Sequence, residues 1–121
     1  MAKHNLLGAD GEILAAKWLT DRGYTLLHRN WRHSYYEVDI IASAKNILHF
    51  IEVKTRSNKK FGEPEESVDN KKINNLMKAG AEYQFLHPEW KRVQYDVLSI
   101  TIDQNNDAVY FFIEDIYLGN V

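Results

Sequence analysis

Three charged side chains lie inside the two most apolar segments of the chain. Asp39 is flanked by valine and isoleucine, and Glu52 and Lys54 alternate with isoleucine, valine and threonine. Strands in the centre of a sheet do not carry unpaired charges without a desolvation cost. Two carboxylates that share a site repel each other unless one is protonated or a divalent cation lies between them. Carboxylate oxygens suit Mg²⁺ or Mn²⁺, so a divalent-metal site is one way to accommodate these residues, and a protonated carboxylate is the other.

A β-hairpin is the element that would bring these charges together. Residues 37–43 and 47–55 are nearly continuous apolar runs rich in β-branched side chains, a pattern typical of central strands covered on both faces. They are separated by Ala44, Lys45 and Asn46. Asn46 tolerates the positive φ that a two-residue turn requires, although Lys45 is not the favoured residue beside it. We therefore predict a tight turn at Lys45-Asn46.

The register set by this turn decides whether the two carboxylates meet. A two-residue turn places Asp39 directly opposite Glu52 on one face, with Cβ atoms about 4.5–5.5 Å apart. The same register places Lys54 across from Glu37. A slip of one residue would put the carboxylates on opposite faces of the sheet. The alternative interpretation is structural: Lys54 forms an ion pair with Glu37 or Glu52 at the end of a strand, as is common in proteins.

A helix predicted from Leu6 to Arg22 supplies a further carboxylate, Glu12. Apolar and small residues recur along this segment at helical spacing, and Gly23 follows as a stop signal. Small residues around Glu12 would let the helix approach the sheet and direct this carboxylate at the hairpin; they are Gly8, Gly11, Ala15 and Ala16. The alternative is a solvated glutamate on a helix surface, the commoner environment for this residue type.

The other elements of the pattern complete one α/β domain over residues 1–121. Asp69 is a candidate N-cap for a second helix that ends at His87-Pro88, with an apolar stripe formed by Ile73, Leu76, Met77, Gly80 and Tyr83. An edge strand, a polar loop and two further strands are predicted at residues 24–31, 57–67, 93–102 and 108–113. No linker or repeat divides the chain, which indicates a single domain. The order of the elements leaves both helices available to cover a mixed sheet.

Composition and charge exclude several classes of protein. The 121 residues are 45% hydrophobic and 26% charged, as in one soluble globular domain. The chain has no cysteine, which excludes disulfides and thiolate-bound zinc. Because the sequence shows neither a signal-peptide pattern nor an apolar run of membrane-spanning length, we expect a cytoplasmic protein. The formal charge is −2, so any nucleic-acid binding must depend on a local patch.

Two clusters of positive charge are candidates for that patch. The first begins at the end of the second hairpin strand and comprises Lys54, Arg56, Lys59 and Lys60. The second comprises Arg29, Arg32 and His33, interleaved with Trp31, Tyr35 and Tyr36. Cationic side chains bind phosphates, and exposed aromatic rings stack on unpaired bases. The alternatives are a solvated run of charges and aromatic residues that belong to the core or to an interface.

Other titratable residues are interpreted as structural. The five histidines lack the spacing of metal ligands. His49 is predicted on the face opposite Glu52, as a satisfied core histidine, and Asp96, early in a strand, is expected to pair with a lysine or to support the site. No glycine-rich phosphate loop or Ser/His/Asp arrangement is visible, which disfavours P-loop nucleotidases and serine hydrolases.

The charged residues also carry a resemblance. Asp39, twelve intervening residues and then Glu52-Val53-Lys54, preceded by the helical Glu12, resemble the minimal pattern of the PD-(D/E)xK nuclease superfamily, as in archaeal Holliday-junction resolvases. The resemblance to the uncharacterised YraN-like family is closer and spans about residues 6–115. It is carried by the ordered segments Asn30–Arg32, Glu37–Ile41, Phe50–Arg56, Phe61-Gly62, Pro64–Val68 and Lys72. Each segment is a weak signal alone, whereas the ordered set is specific.

This resemblance implies a restriction-endonuclease-like α/β fold, in which helices flank a central mixed sheet, and metal-dependent phosphodiester hydrolysis in structured or branched DNA. It implies that Asp39 and Glu52 bind Mg²⁺ or Mn²⁺, with the Val53 carbonyl and Glu12 completing the oxygen shell. Lys54 would orient the attacking water or stabilise the developing charge. Contacts to DNA are expected from Arg32, Arg56, Lys59, Lys60 and Lys72. Relatives that cut two strands often pair, so a homodimer is expected by analogy.

Two other functions stay open. In the first, the nuclease fold is a catalytically inactive module that binds DNA or protein. Tyr36 and Gln94 stand where the family usually has glycine and arginine, and these changes would alter access to the metal side of the hairpin and remove a positive charge near the site. In the second, Asp39, Glu52 and Lys54 form one buried ion network that binds no metal.

Overall fold

The structure is a computed structural model that describes residues 9–57 and 70–116. Within these residues the elements are α1 (Ala9–Asp21), β1 (Thr25–His33), β2 (Tyr36–Ala44), β3 (Ile47–Arg56), α2 (Asn70–Leu86), β4 (Val93–Ile102) and β5 (Ala108–Ile113). The strands form one sheet in the order β1-β2-β3-β4-β5. Strands β3 and β4 are parallel and the other neighbours are antiparallel. The predicted α/β class with a mixed sheet is confirmed, and the arrangement is consistent with a restriction-endonuclease-like fold.

Helix α1 ends at a glycine, as predicted. Gly23 has a φ of +94°. Its N–H donates to the Thr20 carbonyl at 3.1 Å, and the Tyr24 N–H donates to the Leu19 carbonyl at 3.1 Å. This pair of bonds is the Schellman motif, which requires the left-handed backbone that glycine adopts without a Cβ clash. The predicted start of the helix at Leu6 lies outside the described residues.

The sheet is covered on both faces, which explains why its central strands are apolar throughout. Helix α1 covers one face, where Leu19 packs with Ile40 and Ile51. Helix α2 covers the other face, where Leu76 packs with Phe50. Ile51 and Phe50 are neighbours on β3 and point to opposite faces, yet both are fully buried. The two faces of the sheet therefore have separate hydrophobic cores.

Helix α2 approaches its face of the sheet closely. A Cβ at Gly80 would lie 2.6 Å from Cε1 of Tyr95 and 3.0 Å from Cδ2 of Phe50. The predicted apolar stripe is buried except for Met77, which is only partly buried, and Ala79 is buried beside the stripe. The predicted N-cap, Asp69, lies outside the described residues. Neither described helix is long and apolar enough to cross a membrane.

The β2–β3 hairpin has the predicted turn and register. Lys45 and Asn46 have φ values of +53° and +66°, as a type I′ turn requires. The strands pair from Ala44–Ile47 to Ile40–Ile51. The predicted register is therefore confirmed, and the residues that follow Ile40 and Ile51 along the ladder are Asp39 and Glu52.

Strand β1 is longer than the sequence predicts. The expected end at Trp31 is wrong, because the strand continues to His33, which pairs with Tyr36 across a two-residue turn. The positive φ of this turn, +59°, falls on Ser34, and a turn without glycine or asparagine lacks the usual sequence signal. Strand β1 is at the edge of the sheet, as predicted.

Candidate active site

The site lies where the β2–β3 ladder ends. The described pairing of these strands stops at Ile40 and Ile51. Beyond that pair, Oδ2 of Asp39 accepts a hydrogen bond of 2.8 Å from the backbone N–H of Val53. A side-chain carboxylate thus takes the place that a strand carbonyl would occupy in a continued ladder. We call this point, defined by Asp39 and Val53, the strand fork.

The fork brings Asp39 and Glu52 close together. Burial is the largest cause that raises the pKa of each carboxyl group above its ordinary value. The charge of Asp39 raises the pKa of Glu52 further, while the charges of Lys54 and Lys72 lower it. For Asp39, the hydrogen bond from Val53 is the main effect that lowers the pKa. The structure therefore places both predicted carboxylates in one partly desolvated, mutually repelling pair.

Two lysines face this pair. Nζ of Lys54 lies 3.9 Å from Oε2 of Glu52, and Nζ of Lys72 lies 4.0 Å from the same oxygen. Lys54 and Glu52 both retain 21% side-chain exposure, so solvent reaches the group. The prediction that Lys54 lies across from Glu37 is wrong, because β2 and β3 separate before that position. Glu37 instead lies opposite Arg32 on β1 and forms an ion pair of 3.3 Å with it.

Glu12 reaches the site through a close contact between α1 and β3. A Cβ at Gly11 would collide with Oγ1 of Thr55, so the first turns of the helix lie directly on the strand. This approach brings Glu12 near enough for its charge to raise the pKa of Asp39. Within residues 9–57 and 70–116, no group of three or more histidine, aspartate or glutamate side chains is arranged to hold a metal ion. In this structure Glu12 therefore influences Asp39 through its charge, not as part of a three-carboxylate cluster.

The charged residues open into a cleft of about 580 Å³ between the β1–β2 turn and α2. Its lining comprises Tyr35, Tyr36, Glu37, Asp39, Glu52, Lys72, Asn75, Leu76 and Lys78. Asn75 and Lys78 were not predicted from the sequence. They follow Lys72 by three and six residues, a spacing that places side chains on one helix face, so this periodicity could have identified them.

Comparison with known proteins assigns the chain to a family. The model described as "Uncharacterised protein family UPF0102" matches residues 11–100. The chain belongs to that family. A UPF0102 protein of Bacteroides thetaiotaomicron is 39% identical, with 97% of this chain and 97% of the relative covered. A UPF0102 protein of Flavobacterium johnsoniae is 41% identical, with 93% and 100% covered, and one of Rhodococcus opacus is 44% identical, with 82% and 86% covered.

The family match confirms the YraN-like resemblance. The matched region extends from α1 into β4, so it contains Asp39, Glu52, Lys54 and Lys72, and it also contains Tyr36. In this UPF0102 chain the Tyr36 side chain lines the cleft. Tyr36 therefore lies at the cleft, and its expected effect on access to the site stays a prediction.

The other basic residues predicted to contact DNA lie at the periphery or outside the described structure. Arg32, on the edge strand β1, is exposed and paired with Glu37. Arg56 is the last residue of β3 and is half-buried. Lys59 and Lys60 lie outside the described residues. Among the described basic residues of this UPF0102 chain, Lys72 and Lys78 line the cleft.

His49 and Asp96 form a buried pair away from the cleft. Nδ1 of His49 lies 2.8 Å from Oδ2 of Asp96, and both side chains are almost fully buried. Oδ1 of Asp96 accepts hydrogen bonds from Nε2 of Gln94 and the N–H of Asp115, each of 2.9 Å. The ring of Tyr24 packs edge-on against His49, on the α1 side of the sheet.

The structural interpretation of His49 and Asp96 thus fits their positions, although the partner of Asp96 is a histidine and not a lysine. The expectation that Gln94 alters the charge near the site is wrong. Gln94 pairs with His49 of the neighbouring strand and contacts Asp96, so it lies on the α1 side of the sheet, opposite the face that carries Glu52.

Proposed function

We propose that this UPF0102 protein is a Mg²⁺- or Mn²⁺-dependent endonuclease that hydrolyses phosphodiester bonds in structured or branched DNA. The observation that carries the proposal is that Asp39 and Glu52 lie close together beside the strand fork, in a cleft whose other wall presents lysines. Carboxylates on one wall suit a hydrated cation, and lysines on the other suit phosphate oxygens.

The donor atoms at the fork fit a hard divalent cation. Asp39 and Glu52 supply carboxylate oxygens whose repulsion a cation would relieve. Because the N–H of Val53 points to Asp39, the carbonyl of the same residue points to the same side of β3. Mg²⁺ commonly uses only one or two carboxylates and takes its other ligands from water and substrate phosphates, so a third carboxylate is not required. When bound, the metal would polarise the phosphate and lower the pKa of a bound water.

The lysines supply the positive charge that phosphodiester hydrolysis needs. Lys54 lies beside Glu52 on the same strand face and would orient the attacking water or stabilise the negative charge that develops on the phosphorus oxygens. Lys72 and Lys78 line the α2 wall and would hold the flanking phosphates. Asn75 lies between these two lysines on α2, and its side-chain amide can donate a hydrogen bond to the DNA backbone.

A cleavage assay tests the proposal. The protein is incubated with Mn²⁺ or Mg²⁺ and with single-stranded, duplex, flap and four-way-junction DNA. We expect cleavage that depends on the metal, is abolished by Asp39→Asn, and falls by about 10²–10³-fold in Lys54→Ala. Lys17→Ala is the matched control, because Lys17 pairs with Asp21 on the exposed side of α1 and should leave cleavage unchanged. Retained cleavage in Asp39→Asn would exclude the proposed site.

A second function, a binding module without catalysis, is favoured by one observation. Oε2 of Glu52 lies within 4.0 Å of both Lys54 and Lys72, so the two lysines already offset part of the negative charge that a bound cation would neutralise. This alternative predicts salt-sensitive binding of DNA with no cleavage under any metal condition.

We also propose a homodimer for substrates in which two strands are cut. Light scattering of the DNA complex tests this oligomeric state.

A further inference from the structure

The tip of the β1–β2 hairpin exposes an aromatic ring at the mouth of the cleft. His33 pairs with Tyr36, which leaves Ser34 and Tyr35 as the turn residues. The Tyr35 side chain is 98% exposed, the highest value among the exposed large apolar residues of the described structure. A tyrosine at such a position buries almost none of its ring in the fold, so the folded chain alone gives it no packing role.

This ring belongs to the same cleft as the carboxylates. Tyr35 lines the cleft together with Asp39 and Glu52, and Lys72 and Lys78 line it from α2. A strand whose phosphate reached the carboxylates and lysines would therefore pass beside the ring. In a continuous duplex both faces of every base are covered by its neighbours, whereas an unpaired base has a face available for stacking on an aromatic side chain.

The turn is held in place relative to α2. The ring of Trp31 stacks on that of His33 with centroids 5.9 Å apart and planes 15° apart. Nε2 of His33 lies 3.2 Å from Oε2 of Glu82 on α2. Trp31 also packs edge-on against Tyr83. The end of β1 that leads into the turn is thus anchored to the wall that carries the lysines, so the turn that carries the ring is held beside the cleft.

We propose that Tyr35 is a specificity-determining residue that stacks on an unpaired base beside the phosphate to be cut. The inference rests on the proposed nuclease function and deepens it: the cleft selects DNA with an unpaired nucleotide at the cleavage position, as in a flap, a fork or an opened junction, over continuous duplex. Stacking needs only the flat face of a base, so the selection is for unpaired structure and is tolerant of sequence.

Binding of two matched DNA probes tests this role. One is a flap that carries 2-aminopurine at the unpaired position, and the other is a continuous duplex of the same sequence with 2-aminopurine paired. Fluorescence anisotropy gives the affinity and 2-aminopurine quenching reports stacking. We expect Tyr35→Ala to weaken flap binding by about 10- to 100-fold and to remove the quenching, with little change for duplex. Tyr35→Phe, which keeps the aromatic ring, should retain both the flap affinity and the 2-aminopurine quenching of the native protein.

The controls separate failure of this inference from failure of the nuclease function. Phe85→Ala removes another exposed ring, 79% exposed and at a different cavity formed with Trp90, and should leave flap binding unchanged. Equal loss of flap and duplex binding in Tyr35→Ala, or no loss, overturns the stacking role. If cleavage of either probe with Mn²⁺ still depends on Asp39, the nuclease function stands. If the unaltered protein neither binds nor cuts any probe, both proposals are wrong.

Discussion

Replacement of Asp39 by asparagine separates a metal site from a structural ion network. The substitution removes one negative charge from the pair at the strand fork but keeps a side-chain oxygen that can accept the hydrogen bond from the Val53 N–H. In a metal site, the native carboxylates repel each other when the cation is absent, so asparagine should stabilise the metal-free fold. In an ion network, Asp39 is a favourable partner, and its loss should destabilise the fold.

The size of the effect follows from the charges at the fork. Two unit charges about 5 Å apart repel by roughly 3 kcal/mol at an effective dielectric constant of about 20. Glu52 retains 21% side-chain exposure, so solvent screening reduces this to about 2 kcal/mol. The hydrogen bond to Val53 loses its charge assistance, which costs about 1 kcal/mol. We therefore expect Asp39→Asn to stabilise the metal-free protein by about 1 kcal/mol, whereas disruption of a buried ion network would destabilise it by about 3–5 kcal/mol.

The pH dependence of the free energy of unfolding provides a second test of the same pair of carboxylates. Burial and like charge raise the folded-state pKa of Asp39 and Glu52, so the folded protein retains protons that the unfolded chain has lost. The free energy of unfolding then falls as the pH rises from the ordinary carboxyl range through the raised folded-state pKa. Asp39→Asn should flatten this fall, because it removes one carboxyl group and also lowers the pKa of the other.

Urea denaturation at several pH values, with and without Mn²⁺, measures these quantities. If the cation binds with a dissociation constant of about 1 mM, about 10 mM Mn²⁺ adds about 1.4 kcal/mol to the native protein and much less to Asp39→Asn. Asp21→Asn is the control, since Asp21 forms an exposed pair with Lys17 and its loss should change stability by less than about 0.5 kcal/mol. A destabilised Asp39→Asn with no response of the native protein to Mn²⁺ would refute the reasoning.

Three further variants test contacts that hold the fold together. Gly11→Ala should lower the free energy of unfolding by about 1–3 kcal/mol, because its Cβ collides with Thr55. In urea denaturation, the double variant with Thr55→Ala should recover part of the lost free energy of unfolding. No recovery would contradict the contact. Asp96→Ala leaves buried donors without their acceptor and should cost about 3–5 kcal/mol, with the midpoint of thermal unfolding as the readout; an unchanged midpoint would contradict it. Lys45→Asn combined with Asn46→Gly places the preferred residues at two positive φ values and should stabilise the hairpin by about 0.5–1 kcal/mol in thermal unfolding; destabilisation would contradict the type I′ turn.

Local signals in the sequence were sufficient for the central hairpin. The length of the turn at Lys45-Asn46 fixes which residues of β2 and β3 face each other, because side chains alternate between faces along a strand. The turn at Ser34-Tyr35 gave no such signal. Ser34 adopts its positive φ without the glycine or asparagine that usually marks such a turn, so the sequence predicted neither the full length of β1 nor the position of Tyr35 at the cleft.

The site was predictable only as far as the ladder continues. The register predicted that Asp39 and Glu52 would meet, and it also predicted Lys54 across from Glu37. The second expectation failed because the carboxylate of Asp39 binds the Val53 N–H, and this bond lies where the backbone ladder stops. Whether a side chain or a backbone carbonyl accepts the hydrogen bond from one N–H depends on how the two strands lie relative to each other. Residue spacing alone does not reveal it.

The charge balance of the cleft links metal and phosphate binding. Lys54 and Lys72 approach the same oxygen of Glu52, at 3.9 and 4.0 Å. A cation at the carboxylates would compete with these lysines for Glu52, and phosphate oxygens would then be the natural replacement partners for the lysine charges. Each ligand should therefore favour the other, and by linkage each must raise the other's affinity by the same factor. An ion network whose charges already balance gives no reason for this coupling, so reciprocal affinities of Mn²⁺ and DNA distinguish a catalytic cleft from a structural one.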